Sequence, residues 1–161
     1  MKSLELLSSK LAAPSNKFSF GFLAVSAVGF VDATYLTAKH FLGEPITCSI
    51  LHGCEQVTAS EYSIMFGLPV ALLGALYYLS VLLLITIYLQ TKQRAPLLLV
   101  SLLTLFGFLF SLRFVYLQIF VIKAICIFCM VSATTSTLLF IFSLTFLKKN
   151  KTNNTPEELS V

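Results

Sequence analysis

The chain has 161 residues, of which 57% are hydrophobic and only 11% are charged, and its formal net charge is +4. A water-soluble domain of this size needs more charged surface, so the composition excludes an ordinary soluble fold and indicates an integral membrane protein. We expect the lipid bilayer to surround most of the chain, and we expect no nucleic-acid partner.

Four apolar stretches are long enough to cross a bilayer, which takes about 20 residues per helix. They cover 18–39, 69–90, 96–117 and 124–147. The sequence therefore predicts an all-α membrane protein, a four-transmembrane-helix bundle. We expect one domain over 18–147, with polar tails over 1–17 and 148–161.

The positive charges predict the orientation of these spans. Eight cations share one side if the spans alternate in direction: Lys2, Lys10, Lys17, Lys92, Arg94, Lys148, Lys149 and Lys151. Only Lys39, Arg113 and Lys123 lie near the other side. The positive-inside rule makes both termini cytoplasmic in a cell (inner) membrane and the loop 41–66 extracytoplasmic. All four cysteines then lie at the outer face, where disulfides persist.

The segments between the spans carry further signals. The stretch 60–66 has a polar start and an apolar end, which predicts a short amphipathic helix covering the mouth of the bundle. Pro69 and Pro96 suit the first turns of the second and third spans. The link 118–123 is short and apolar, and we expect it to bend at the outer interface.

One cysteine pair begins the fourth span. Cys126 and Cys129 are three residues apart, so on a helix they share a face and can come within disulfide range. A helix N-terminus favours the reactive thiolate, and Lys123 could add to the effect. The alternative is two small buried residues without a redox role.

The second pair, Cys48 and Cys54, lies in the outer loop. A disulfide closing so short a ring gains only about 2.4 kcal/mol of loop entropy, so it is more plausibly exchangeable than structural. Gly53 predicts a sharp, mobile backbone beside it. The alternatives are a loop clip, or a zinc site built from both pairs with His40 and His52. We expect no metal.

Other residues within the spans are weaker candidates. Asp32 is either a functional carboxylate or an interhelical hydrogen-bonding group. Tyr77 and Tyr78 lie near the middle of the second span, and at least one should bond another helix. An aromatic repeat of four in the third span indicates helix packing or a surface for a flat ligand: Phe106, Phe110 and Phe114.

A set of motifs runs in order through most of the chain. It comprises Asp32-Ala-Thr-Tyr-Leu-Thr-Ala-Lys39, the Cys48…Cys54 loop, Ser60, Phe66-Gly-Leu-Pro-Val70, Gly74 and Lys123-Ala-Ile-Cys-Ile-Phe-Cys129. A Cys-x-x-Cys alone is weak evidence, but the ordered combination is specific. It resembles the vitamin K epoxide reductase family, in its bacterial disulfide-forming branch.

The resemblance implies a bundle around a quinone, ubiquinone or menaquinone, capped by the outer loop and its short helix. Cys129 would lie next to the quinone, Cys126 would exchange with Cys54, and Cys48 would meet an external thiol. Ser60 matches a position that can offer the quinone a hydrogen bond.

The predicted function is that of a quinone-dependent membrane thiol–disulfide oxidoreductase, which reoxidises a separate thioredoxin-like extracytoplasmic disulfide oxidase. The candidate quinone contacts are Ser60, Phe66, Phe110 and Phe114. Two alternatives are an unrelated quinone-linked disulfide generator and a non-enzymatic metal-ion carrier with cysteine ligands. The vertebrate enzymes have Thr-Tyr-Ala after the membrane motif. This chain reads Met130-Val-Ser-Ala133 there, which argues against vitamin K epoxide as a substrate.

Overall fold

The structure, a computed structural model, describes residues 16–44, 46, 53–65, 67–91 and 93–152. Within these residues there are five α-helices: α1 (Asn16–Leu42), α2 (Cys54–Thr58), α3 (Val70–Thr91), α4 (Arg94–Tyr116) and α5 (Ile127–Thr152). All except α2 are long and apolar enough to cross a membrane. The predicted fold, a four-transmembrane-helix bundle, is confirmed, although α1 and α5 extend a few residues beyond the predicted cytoplasmic ends of their spans.

The long helices suit lipid because an α-helix satisfies its main-chain hydrogen bonds internally. Their outer surfaces carry large exposed apolar side chains such as Leu83. Hydroxyl side chains bond back to carbonyls one turn earlier: Ser26 donates to Phe22 at 2.8 Å and Thr37 to Ala33 at 2.7 Å. These polar atoms therefore need no water inside the bilayer.

Each long helix packs against two others, so the four form a closed ring. α1 packs against α3 and α5, and α4 packs against the same two helices. The hydroxyl groups of Ser101 on α4 and Ser143 on α5 are joined by a 2.7 Å hydrogen bond. Interhelical hydrogen bonds of this kind help to fix helix pairs in lipid, where the hydrophobic effect does not act between helices.

The half of the bundle far from the outer loop is closely packed. Fully buried Ile85 and Tyr88 of α3 share one core cluster with Val100 of α4 and with Leu139 and Phe146 of α5. The rings of Tyr88 and Phe146 meet edge to face, with centroids 5.7 Å apart. We call this region the inner half.

The outer loop corrects one prediction. Over the described part of 60–66 there is no amphipathic helix: Glu61–Ser63 is a single 3-10 turn, and Ile64–Met65 is strand β1, paired antiparallel with β2 (Leu68–Pro69). Gly67 lies between the strands with φ +77°, a conformation that favours glycine. The main chain of Ile64–Met65 therefore pairs with the facing strand and does not form helical hydrogen bonds. Among the described residues of the loop, those that form an α-helix are the residues of α2.

The third span ends in an irregular helix. α4 continues directly into a π-helix over Leu117–Ile122, and Lys123 follows in the left-handed conformation, with φ 55°. The Ala124 N–H donates to the Gln118 carbonyl at 3.1 Å, which closes the turn. The predicted bend at 118–123 therefore falls at its last residue. It sends the chain back into the bundle through Cys126.

Candidate functional site

A cavity of about 640 Å³ lies between the outer halves of the long helices and the outer loop. Its walls are mostly apolar, with Leu36 from α1, Leu73 from α3 and Phe106 from α4 among them. Small-molecule sites typically measure about 300–1,000 Å³ and are lined in this way. The size and lining therefore suit an apolar small molecule.

The membrane cysteine pair lies at the start of α5, beside this cavity. Cys126 immediately precedes the helix and is fully buried, whereas Cys129, in the first turn, lines the cavity. The Cys126 N–H donates to the side-chain Oε1 of Gln118 at 3.0 Å, and the Met130 N–H donates to the Cys126 carbonyl at 3.1 Å. Buried Gln118 thus satisfies a main-chain donor that the helix itself leaves open.

Both thiols of this pair are free. A hydrogen bond from the Cys129 thiol is the largest cause that lowers the pKa of Cys126, to about 7, and the N–H groups of Cys129 and Phe128 add to it against the cost of burial. Lys123, which was expected to contribute, is not among the causes. Cys126 therefore forms a thiolate readily near neutral pH.

The loop pair is described through Cys54 alone, because Cys48 lies outside the described residues, as does His52. Cys54 is the first residue of α2, is 1% exposed and is disulfide-bonded. It belongs to one buried cluster with Cys126, to which Val57 and Ala124 also contribute. The structure therefore brings a cysteine of the loop and the membrane pair together.

The contact between the two segments is closest at Gly53. A Cβ atom added at Gly53 would lie 2.6 Å from the carbonyl oxygen of Ile125 and 2.7 Å from its nitrogen. Gly53 itself has φ −88° and ψ −10°, which any residue can adopt. The glycine is therefore explained by close approach rather than by the sharp, mobile backbone predicted from the sequence.

The predicted quinone contacts are placed as follows. Ser60, Phe110 and Phe114 line the cavity, whereas Phe66 lies outside the described residues. The Ser60 hydroxyl donates to the Val57 carbonyl at 2.7 Å, so its oxygen remains able to accept a hydrogen bond.

A group of hydroxyls lines the cavity wall formed by α3 and α5. Tyr77, Ser132 and Ser136 all face the cavity, and Tyr77 Oη lies 3.5 Å from Ser136 Oγ. Tyr78 Oη donates to the Ser132 carbonyl at 2.7 Å and lies 2.7 Å from Thr135 Oγ1. The prediction that at least one of the two tyrosines bonds another helix is confirmed.

Two glycines make room for these tyrosine rings. A Cβ atom at Gly107 of α4 would lie 2.5 Å from Tyr77 Cζ, and one at Gly29 of α1 would lie 2.3 Å from a ring carbon of Tyr78. Sequence reasoning missed both glycines, as it missed Gln118. Their only signal was a small residue on an otherwise bulky apolar helix.

Among the remaining sequence candidates, Asp32 acts on the site through its charge, which is one of the causes that raise the pKa of Cys126. Asp32 is partly buried in α1, and its Oδ2 has no hydrogen-bond partner among the described residues, so this atom does not make the expected interhelical bond. Within the described part of the chain, no group of three or more His, Cys, Asp and Glu residues could hold a metal ion. The zinc alternative needed Cys48 and His52, which lie outside that part.

A free thiol pair and a disulfide-bonded cysteine that meet beside an apolar cavity are the working parts of a membrane thiol–disulfide oxidoreductase. The sequence profile of the vitamin K epoxide reductase family matches residues 21–144. Because this match covers most of the chain, the protein belongs to that family, and the resemblance predicted from its motifs is confirmed. A comparison with curated protein sequences gives no match.

Proposed function

We propose that this protein reoxidises a thioredoxin-like extracytoplasmic partner and passes two electrons through its two cysteine pairs to a membrane quinone. This activity would drive disulfide-bond formation, as in the bacterial branch of the family. The observation that carries the proposal is the packing of Cys54 with Cys126 in one buried cluster, with Cys129 on the cavity wall.

The first step is reduction of the loop disulfide, Cys48–Cys54, by the partner. A partner thiolate attacks Cys48, so a partner–Cys48 disulfide forms and Cys54 leaves as a thiolate. The second partner thiol then displaces Cys48, and the partner departs as a disulfide. Burial of Cys54, which is 1% exposed, supports Cys48 as the sulfur that meets a protein thiol.

The second step transfers the electron pair inward. The Cys54 thiolate attacks Cys126 of the Cys126–Cys129 disulfide, and Cys129 leaves as a thiolate. Cys48 then attacks Cys54, re-forms the loop disulfide and releases Cys126. The lowered pKa of Cys126 makes it a good leaving group in this reaction. In the structure Cys54 is disulfide-bonded and both membrane thiols are free, an arrangement consistent with the end of this step.

The third step takes place at the cavity. A bound quinone supplies an acceptor for two electrons and two protons. Cys129 presents its sulfur to the cavity, and Phe110 and Phe114 offer flat apolar walls. The Tyr77 hydroxyl is a polar group that would donate a hydrogen bond to a carbonyl oxygen of the quinone, and the Ser60 hydroxyl would do so only after turning from the Val57 carbonyl. Once the electrons have left, Cys126 and Cys129 return to a disulfide.

The orientation in the membrane is part of the proposal. The eight cations predicted on one side place both termini in the cytoplasm and the cysteine pairs on the extracytoplasmic side of a cell membrane. Vitamin K epoxide is not the proposed substrate, because Met130-Val-Ser-Ala133 carries no tyrosine where the vertebrate enzymes have one.

The proposal is tested by replacing Cys129→Ser and measuring quinone reduction by a reduced thioredoxin-like partner in lipid vesicles. We expect turnover to be lost, because the membrane disulfide can no longer form. The control is Val131→Ala, a position 38% exposed on the outside of α5, which should keep its turnover. Undiminished turnover of the Cys129→Ser protein would reject the assigned order of cysteines.

A further inference from the structure

We infer that Gly53 is a positioning residue for electron transfer between the two cysteine pairs: its missing side chain sets the distance at which the loop cysteine meets the membrane pair. The inference rests on the proposed function and assigns a role within it to a residue that carries no reactive group.

The argument begins with what Gly53 touches. The atoms nearest to an added Cβ at Gly53 are the oxygen and nitrogen of Ile125, at 2.6 and 2.7 Å. At Gly107 the nearest atoms belong to the side chain of Tyr77, which can turn aside into the cavity. Main-chain atoms cannot do so, because moving the Ile125 backbone also moves its neighbours. An alanine at Gly53 would therefore push the two segments apart.

The position in the chain gives this contact its meaning. Gly53 directly precedes Cys54, and Ile125 directly precedes Cys126, so the two backbones touch one residue before each reacting sulfur. On the membrane side, Cys126 is held through its own N–H by Gln118. The Gly53–Ile125 contact is therefore the place where the approach of the loop is limited.

The main-chain conformation of Gly53 does not itself require glycine, because its φ is not positive. Gly53 has φ −88°, whereas Gly43 and Gly67 have φ values of +66° and +77°. Alanine suits the Gly53 conformation, so an effect of Gly53→Ala reports the close approach and not main-chain strain.

The step that Gly53 controls is the attack of the Cys54 thiolate on Cys126. In that step a Cys54–Cys126 bond forms, the Cys126–Cys129 bond breaks, and Cys129 leaves with the electron pair. In-line attack on a disulfide depends steeply on distance, and a displacement of about 1 Å can cost about a hundredfold in rate.

The test uses the Cys48→Ser/Cys129→Ser chain in vesicles, which keeps only Cys54 and Cys126. Diamide takes up the two electrons when these thiols join, and mass spectrometry of the linked peptides follows the bond. We expect rapid linkage in this parent and linkage slowed by about tenfold or more after Gly53→Ala. Gly21→Ala is the matched control, since its added Cβ meets nothing within 4 Å, and it should link at the parent rate.

The outcomes separate the inference from the proposed function. If the parent does not link, Cys54 does not reach Cys126 and the proposed order of transfer fails. If the parent links and Gly53→Ala links as fast, the relay stands and the role of Gly53 is wrong.

A second variant guards against loss of folding. Val57→Ala shortens a buried side chain of α2 in the same cluster, which leaves space for the loop to shift away from Ile125 without unfolding. The double variant Gly53→Ala/Val57→Ala should remain folded and form the Cys54–Cys126 disulfide slowly. The single variant Val57→Ala should form this disulfide faster than the double variant. Equal rates for these two chains would also overturn the inference.

In the chain with all four cysteines, Gly53→Ala should slow transfer between the pairs but leave reduction of the loop disulfide by the partner unchanged. General destabilisation would instead affect both steps.

Discussion

The two halves of the bundle are built for different purposes. In the inner half, Ile85, Tyr88, Val100, Leu139 and Phe146 fill the space between the helices. In the outer half the same helices separate around a cavity of about 640 Å³, whose wall carries the hydroxyls of Tyr77, Ser132 and Ser136. The comparison teaches that stability and chemistry are separated along the membrane normal: one half holds the helices together, and the other keeps room for a ligand and for sulfur exchange.

The largest effect should come from creating a cavity in the packed core of the inner half, which should lower the unfolding free energy. Leu139→Ala removes a fully buried side chain and should cost about 2–5 kcal/mol of unfolding free energy. The quinone KM should not change, because the cavity lies elsewhere. Thermal unfolding in detergent and quinone titration measure the two quantities. Leu138→Ala, at a neighbouring position 38% exposed to lipid, is the control expected to have little effect. A raised KM without a loss of stability would contradict the separation of the halves.

The next largest effect should be on the pKa of Cys126, which lies at the start of α5 in the outer half. The hydrogen bond from the Cys129 thiol is the largest of the causes that together lower the pKa of Cys126 from the usual 9.0 to about 7. Cys129→Ala removes the donor and should raise this pKa, which lowers the thiolate fraction at pH 7 by about tenfold. Cys129→Ser keeps a donor and should change it less.

The measurement is the rate of iodoacetamide alkylation of Cys126 against pH, in chains that lack the loop cysteines. The pH at which the alkylation rate is half-maximal should be lowest with Cys129 present, higher in the Cys129→Ser variant and highest in the Cys129→Ala variant. An unchanged midpoint in the alanine variant would show that the Cys129 thiol is not the cause of the low pKa.

The smallest effect should come from adding a side chain at Gly107, which packs against the Tyr77 ring beside the cavity. Gly107→Ala would push the Tyr77 ring toward the cavity and should raise the quinone KM by about three- to fivefold. Stability should change little, because the ring has space to enter. Steady-state quinone reduction measures this, with Gly21→Ala as the control. A loss of stability with an unchanged KM would mean that Tyr77 belongs to the packing and not to the ligand wall.

The fold was predictable from the sequence because lipid imposes a strong requirement. About 20 apolar residues in succession have few alternatives to a spanning helix, so all four spans were found. The loop was not predictable to the same degree. Whether Ile64 and Met65 continue a helix or pair with Leu68 and Pro69 depends on Gly67, whose φ of +77° turns the chain back.

The site was predictable only where residue type reveals chemistry. The cysteines of the membrane pair are recognisable in any context, and Phe110 and Phe114 were suggested by their spacing. Gln118 and Gly53 were not recognised as parts of the site. Gln118 acts on a main-chain N–H eight residues away, around a π-helix that no periodicity indicated. Gly53 has an ordinary conformation, and its role depends on a contact with Ile125, far away in sequence.

The three-residue spacing of the membrane pair gives its two sulfurs different surroundings. Cys126 is enclosed with the loop cysteine, and Cys129 borders the ligand cavity. The two sulfurs of the pair therefore have different nearest neighbours, the loop cysteine for Cys126 and the cavity for Cys129. In the proposed relay, electrons would enter the membrane pair at one sulfur and leave it at the other.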